Sequence, residues 1–166
     1  MNYNIKTATI ADLNFVLSLN EKSINAVSHL NSKKMKHFLY ISSYFKILRI
    51  VDNPVGFLIG IMPGQDYKSE NYIWVNKRYS SFIYIDRIII DQKYRSKGLG
   101  IYFYNHLIKS FRGKVDNIVC EVNIKPYNKQ SINFHKKYGF KEIGDREIEN
   151  RTKKVSYMLY KINTQV

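Results

Sequence analysis

The chain has 166 residues, of which 45% are hydrophobic and 24% charged, with 8 Gly and 3 Pro; that is too apolar for disorder, too poor in Gly and Pro for a fibre, and enough for one sizeable core. No apolar run exceeds about eight residues, against the ~20 of a membrane helix; no secretory pattern opens the chain and the lone Cys120 cannot close an internal disulfide, and these two observations fit an expected reducing cytoplasm. A formal charge of +14 favours phosphates, acidic proteins or nucleic acid as partners, although the abundance of Lys, Asn, Ile and Tyr reads equally as AT-rich coding displayed on a solvated surface.

In chain order, residues 4–7 form a short strand, and Thr9-Ile10-Ala11-Asp12 has the spacing of a capping box ahead of a helix over 12–20. A second helix spans 32–42 with Asn31 as its cap. Two β-rich runs, 44–51 and 55–62, flank the turn Asp52-Asn53-Pro54 and make a hairpin. Residues 63–81 read as a long loop carrying Tyr67, Tyr72, Trp74 and Tyr79, which either serve function or pack the loop on the core.

The second half predicts an apolar strand over 82–90 interrupted by Asp86 and Arg87. A helix over 98–111 follows, with Leu99, Phe103, Leu107 and Phe111 on one face, then a buried strand over 115–123. Strand, helix and strand make a right-handed parallel crossover. A short helix over 130–138 and a closing antiparallel hairpin, 140–148 and 155–162 with a turn near Asn150, complete an α/β or α+β fold with one mixed sheet of six or seven strands.

The segment from Asp91 to Gly100 joins the long strand to the long helix, and two glycines at a helix start let backbone N–H groups approach a phosphate, aided by the helix dipole. It is not the phosphate loop G-x-x-x-x-G-K-S/T. The dinucleotide pattern G-x-G-x-x-G fails at Phe103. Taken alone, Gly98 and Gly100 could equally serve close helix packing.

Arg95-x-x-Gly98-x-Gly100 after an apolar strand resembles motif A of the GNAT superfamily of N-acetyltransferases. Asn128-Lys129-Gln130-Ser131-Ile132-Asn133-Phe134-His135-Lys136-Lys137-Tyr138-Gly139-Phe140 resembles its motif B, in the expected order and one helix and one strand downstream. The opening Ile5-Lys6-Thr7-Ala8-Thr9-x-x-Asp12-Leu13 is also similar. Tyr84-Ile85-Asp86-Arg87-Ile88 and Cys120-Glu121-Val122-Asn123 resemble a bacterial branch of predicted acetyltransferases.

The resemblance implies a single domain over 1–166 with a mainly antiparallel, GNAT-like sheet around a central parallel β-α-β unit, flanked by helices. It implies acetyl-CoA as cofactor, with its pantetheine arm in a splay of the sheet near Ile88 and Ile90. The pyrophosphate would lie on Arg95, Ser96, Lys97, Gly98, Leu99, Gly100 and Ile101, and Asn128 would contact the cofactor while capping its helix. Lys93, Arg95 and Lys97 add charge or are solvated bystanders.

Acyl transfer to an amine needs a neutral nucleophile, a stabilised oxyanion and protonation of the thiolate. His135 stands where the superfamily often has a Tyr acid, and reads as acid or as a hydrogen-bonded helix residue. Glu121 and Asp86 are candidate bases or structural partners of basic residues, since a carboxylate in an apolar strand is raised in pKa unless paired. Arg87 is not expected to pair with Asp86, because neighbouring strand side chains point to opposite faces. Cys120 reads as core.

The expected activity is direct, acetyl-CoA-dependent N-acetyl transfer to a primary amine, small or amino-acid-like, with a protein N-terminus or lysine as second choice. Residues 63–81 and the first two helices form the acceptor wall, with no metal and no membrane involved and a homodimer open to the chain. A non-catalytic acyl-CoA-binding sensor is the alternative that His135 in place of Tyr permits. A nucleic-acid-binding domain is disfavoured because no recognition helix or stacking motif accompanies the charge.

Overall fold

A computed structural model describes residues 2–162. Seven strands, β1 (Tyr3–Thr7), β2 (Tyr44–Ile50), β3 (Asn53–Ile61), β4 (Phe82–Ile90), β5 (Asn117–Lys125), β6 (Lys141–Ile148) and β7 (Lys153–Lys161), form one sheet in the order β1-β2-β3-β4-β5-β7-β6. Only β4 and β5 are parallel neighbours; every other pair is antiparallel. The hairpin turn before β3 falls at Val51-Asp52, one residue earlier than expected, and Asn53 and Pro54 already belong to the strand.

Helices α1 (Leu13–Glu21), α2 (Ser32–Ile41) and α3 (Glu70–Asn76) cover one face, and α4 (Leu99–Phe111) and α5 (Lys129–Tyr138) the other. Two cores result. Leu13, Val16, Met35, Phe38 and Tyr72 pack on Phe57, Phe82, Tyr84 and Tyr157, while Leu99, Phe103, Leu107 and Phe111 pack on Leu58, Ile83, Ile118 and Met158. Each such side chain, fully buried, contributes roughly 1.5–3 kcal/mol.

The caps follow the sequence. The Thr9 N–H donates to the Asp12 carboxylate at 2.9 Å, and Asn31 accepts from the Lys34 N–H at 2.9 Å. The stretch 63–81 is not all loop: Ser69 caps α3, whose Tyr72 and Val75 reach the core. None of the described helices is long and apolar enough to cross a membrane.

Two irregularities position the site. Strands β4 and β5 pair only from Phe82 with Asn117 to Ile85 with Cys120, and beyond that they part. The register of β3 against β4 jumps from Ile59–Arg87 to Gly60–Ile85, leaving Asp86 as an extra residue, a β-bulge.

Candidate active site

A cleft of 2030 Å³ runs through the parting of β4 and β5. The alternation of backbone bonds fixes what its edges offer. The Asp91 N–H donates to Val55 O at 2.8 Å, so Arg87, Ile89 and Asp91 turn their backbone groups to β3, and Ile88 and Ile90 turn theirs into the gap. On β5 the Ile162 N–H donates to Asp116 O at 2.8 Å, which by the same alternation directs the backbone of Glu121 into the gap. One residue is partly used: Ile90 O accepts from Arg95 Nε at 2.9 Å.

At one mouth lie Tyr94, Arg95, Ser96, Gly98, Leu99, Gly100 and Ile101. Ser96 and Gly98 have φ of 61° and 76°, and Gly98 is the N-cap of α4. A Cβ on Gly98 would meet nothing within 4 Å; the chain turns here with its side-chain position open, ahead of a 13-residue helix whose N-terminus favours anions. Gly100 differs. Its added Cβ would stand 2.8 Å from Phe134 Cζ, so this glycine admits the α5 aromatic against α4.

The opposite mouth is lined by the α1–α2 connection, α2, Asp66 to Asn71 and the turn from Glu147 to Arg151. Between the mouths sit two carboxylates. The Asp86 Oδ2 accepts from Arg87 Nε at 2.7 Å and Oδ1 accepts a hydrogen bond from the Tyr67 hydroxyl. Asp86 and Arg87 have side chains only 4% exposed. Arg87 also donates to Asn20 Oδ1 at 2.7 Å and Ser28 O at 3.0 Å. Burial works against its charge, and the Asp86 carboxylate more than restores it. The bulge is the reason that the expected opposite orientation of Asp86 and Arg87 does not hold: the extra residue breaks the alternation and brings both side chains to one face.

Glu121 is placed otherwise. Its Oε1 accepts from Asn71 Nδ2 at 3.1 Å, while Oε2 is buried without a hydrogen-bond partner. Burial, and next the Asp86 charge, push its pKa up to about 8, against the pull of Tyr84 and Asn71. It lines the cleft.

A match to the acetyltransferase (GNAT) family extends over residues 21–140. The chain belongs to this family. No curated protein matches it in sequence. Among solved structures it is similar to Ard1 from Thermoplasma volcanium, with a TM-score of 0.79, 16% identity, and coverage of 97% of this chain and 98% of that one. It is also similar to the ribosomal-protein-S18-alanine N-acetyltransferase from Escherichia coli (TM-score 0.73, 16% identity, 99% and 97% covered). A third is Arabidopsis thaliana NAA60 in complex with acetyl-CoA (TM-score 0.75, 13% identity, 96% and 99% covered). The fold is the one expected of the family.

The GNAT chain is an acyltransferase with acetyl-CoA as its cofactor, and its residues fit that molecule. An amide-rich arm meets the backbone groups of Ile88 and Ile90 in the gap, and a pyrophosphate meets the open turn at Ser96 and Gly98. Of the lysines in this loop, Lys97 lies 5.4 Å from the Tyr94 ring centroid; neither it nor Lys93 lines the cleft. Asn128 lines it and caps α5, accepting from the Ser131 N–H at 3.1 Å.

His135 touches the cleft but faces inward, 3% exposed. Its Nδ1 lies 2.7 Å from Ser131 O, and because a carbonyl only accepts, Nδ1 carries the proton. Nε2 then accepts from the Tyr104 hydroxyl at 2.8 Å. Burial lowers the His135 pKa to about 4, so at neutral pH this ring is uncharged and both nitrogens are engaged. Burial, with Glu121 beside it, raises the Cys120 thiol well above its usual range, in keeping with a core role.

The sequence reading missed Asn71 and Tyr157, and named Tyr67 only as one of the aromatics of residues 63–81. The Tyr157 hydroxyl donates to Asn71 Oδ1 at 2.8 Å. Of the aromatics in 63–81, Tyr67 lines the cleft, whereas Trp74 stacks on Tyr157 outside it.

Proposed function

We propose that the protein, acting as a single domain over residues 1–166, transfers the acetyl group of acetyl-CoA directly to a primary amine, with Glu121 as general base. The observation that carries this reading is the buried carboxylate of Glu121 in the wall of the cleft, with Oε1 held by Asn71, Oε2 without a hydrogen-bond partner, and a pKa of about 8. Such a carboxylate accepts a proton near neutral pH and exchanges it without becoming trapped in either state.

Acetyl-CoA, when bound, supplies an acetyl group activated as a thioester. The chain does the rest. Ile88 and Ile90 backbone groups hold the arm along β4, the turn at Ser96 and Gly98 receives the pyrophosphate, and Glu121 takes the proton that makes the amine nucleophilic. Asp86, with its oxygens engaged by Tyr67 and Arg87, and His135, neutral with both nitrogens bonded, hold the scaffold rather than move protons. With His135 and Asp86 engaged in the scaffold, a departing thiolate of pKa about 8.5 would take its proton from solvent.

A small or amino-acid-like amine is the first reading of the acceptor. A protein N-terminus is the second. It is supported by a neighbour that acts on ribosomal protein S18 alanine and by the length of the acceptor mouth, lined from Ser23 on the α1–α2 connection to Arg151 beyond β6.

Calorimetric titration of acetyl-CoA, followed by thiol release with a panel of small primary amines and Ala-, Ser- and Met-initiated peptides, tests the reading. Binding with turnover on one class assigns the acceptor. Binding without turnover on any member favours the acyl-CoA sensor instead.

A further inference from the structure

The carboxylate of Glu121 is the end of a chain of three groups drawn from three elements. Glu121 on β5 accepts from Asn71 on α3, and Asn71 accepts from Tyr157 on β7. Tyr157 is immobilised. It is fully buried, its ring lies parallel to Trp74 with centroids 3.9 Å apart, and the Arg78 guanidinium lies 4.0 Å from the Trp74 centroid.

The chemistry of the three groups constrains their orientation. An ionised carboxylate only accepts, so the Asn71 NH2 must face Glu121 and its oxygen must face Tyr157, whose hydroxyl donates. A protonated Glu121 can be served as well, because a half-turn of the amide offers Oδ1 to the acid proton and Nδ2–H to the phenol oxygen. An alanine at 71 serves neither state.

We propose that Asn71 and Tyr157 are positioning residues for Glu121: together they fix its carboxylate in the cleft wall and hold it ionisable at working pH. The inference rests on the reading of Glu121 as base. Groups of every packed element face this carboxylate. Tyr84 and Asp86 come from β4, Tyr67 from the segment before α3, Asn71 from α3 and Tyr157 from β7. The charge of Arg87 is committed to Asp86. Burial raises the pKa of the three phenols, so they stay neutral; Tyr84 and Asn71 both favour the ionised carboxylate, and Asn71 donates to Oε1.

The test is a carbon-detected pH titration of the ligand-free protein labelled with δ-13C glutamate, the Glu121 signal being the one absent from the Glu121→Gln spectrum. In Asn71→Ala the Glu121 titration should move upward by about 1 pH unit. In Tyr157→Phe, which keeps the ring stack and removes only the hydroxyl, it should move the same way by less. Tyr157→Phe decides alone if Asn71→Ala does not fold. A Glu121 titration unmoved in the folded variants overturns the relay, and with an inactive Glu121→Gln it leaves the base reading standing. A titration that moves while Glu121→Gln acetylates amines at the wild-type rate upholds the control of Glu121 ionisation and overturns its role as base.

Discussion

Asp86 and Arg87, adjacent in sequence, face each other at 2.7 Å on the same side of β4. The pairing exists because β4 carries one residue more than β3 opposite it. Through Arg87 the bulge also grips Asn20 and Ser28, so the strand that borders the cleft holds the connection that lines the acceptor mouth.

Removing one partner of this pair strands a buried charge. Arg87→Met or Asp86→Asn should each cost about 3–5 kcal/mol in urea unfolding, and the double variant should cost clearly less than the sum of the two. Strict additivity would mean that the two groups do not depend on each other.

Glu121 makes stability fall as pH rises. Its folded pKa of about 8 lies above the ordinary 4.5, so the folded state holds the proton more tightly. The associated stability is present below pH 4.5 and is lost as pH climbs through 8. Glu121→Gln should therefore gain on wild type between those limits, reaching at most about 5 kcal/mol at pH 9. Denaturant midpoints of both proteins at pH 5 and pH 9 check it; an equal difference at the two pH values would contradict it.

His135 acts at the acid end. Its folded pKa of about 4 lies below the ordinary 6.5, so its contribution is present above 6.5 and is lost as pH falls through 4. The loss amounts to about 3 kcal/mol. The pH dependence of unfolding between 6.5 and 4 should be shallower in His135→Gln, and an unchanged slope would count against a buried neutral ring.

The two glycines of the loop should fail differently. Gly98→Val, with a β-branched side chain forced into the open turn at φ 76°, should weaken acetyl-CoA binding more than about tenfold and also lower stability through backbone strain that no change at Phe134 relieves. Gly100→Ala meets Phe134 and should lower stability by about 1–3 kcal/mol, with partial recovery in Gly100→Ala/Phe134→Leu. Calorimetry and thermal unfolding separate the two.

Strand β4 and the α4 stripe of Leu99, Phe103, Leu107 and Phe111 were legible because burial imposes a period on consecutive residues. Helix α3 was not: seven residues with two buried positions, Tyr72 and Val75, carry too little period to see, though Ser69 before Glu70 is a usable capping signal. The bulge at Asp86 arises from register against β3, a relation between distant segments. The same holds for Asn71, whose role depends on Tyr157, 86 positions away. Glu121 was named from its motif, but local sequence does not reveal that one of its oxygens is left unpartnered.

The most direct test of the account is the pH profile of kcat/KM for thiol release from acetyl-CoA with the best amine of the panel, in wild type and Glu121→Gln. The predicted wild-type profile contains an ionisation near 8 from Glu121, beside that of the amine itself, and Glu121→Gln loses about 100-fold or more at the plateau, as expected on removal of a general base. A Glu121→Gln profile that matches wild type in height and midpoint would contradict the assignment of Glu121 as the base.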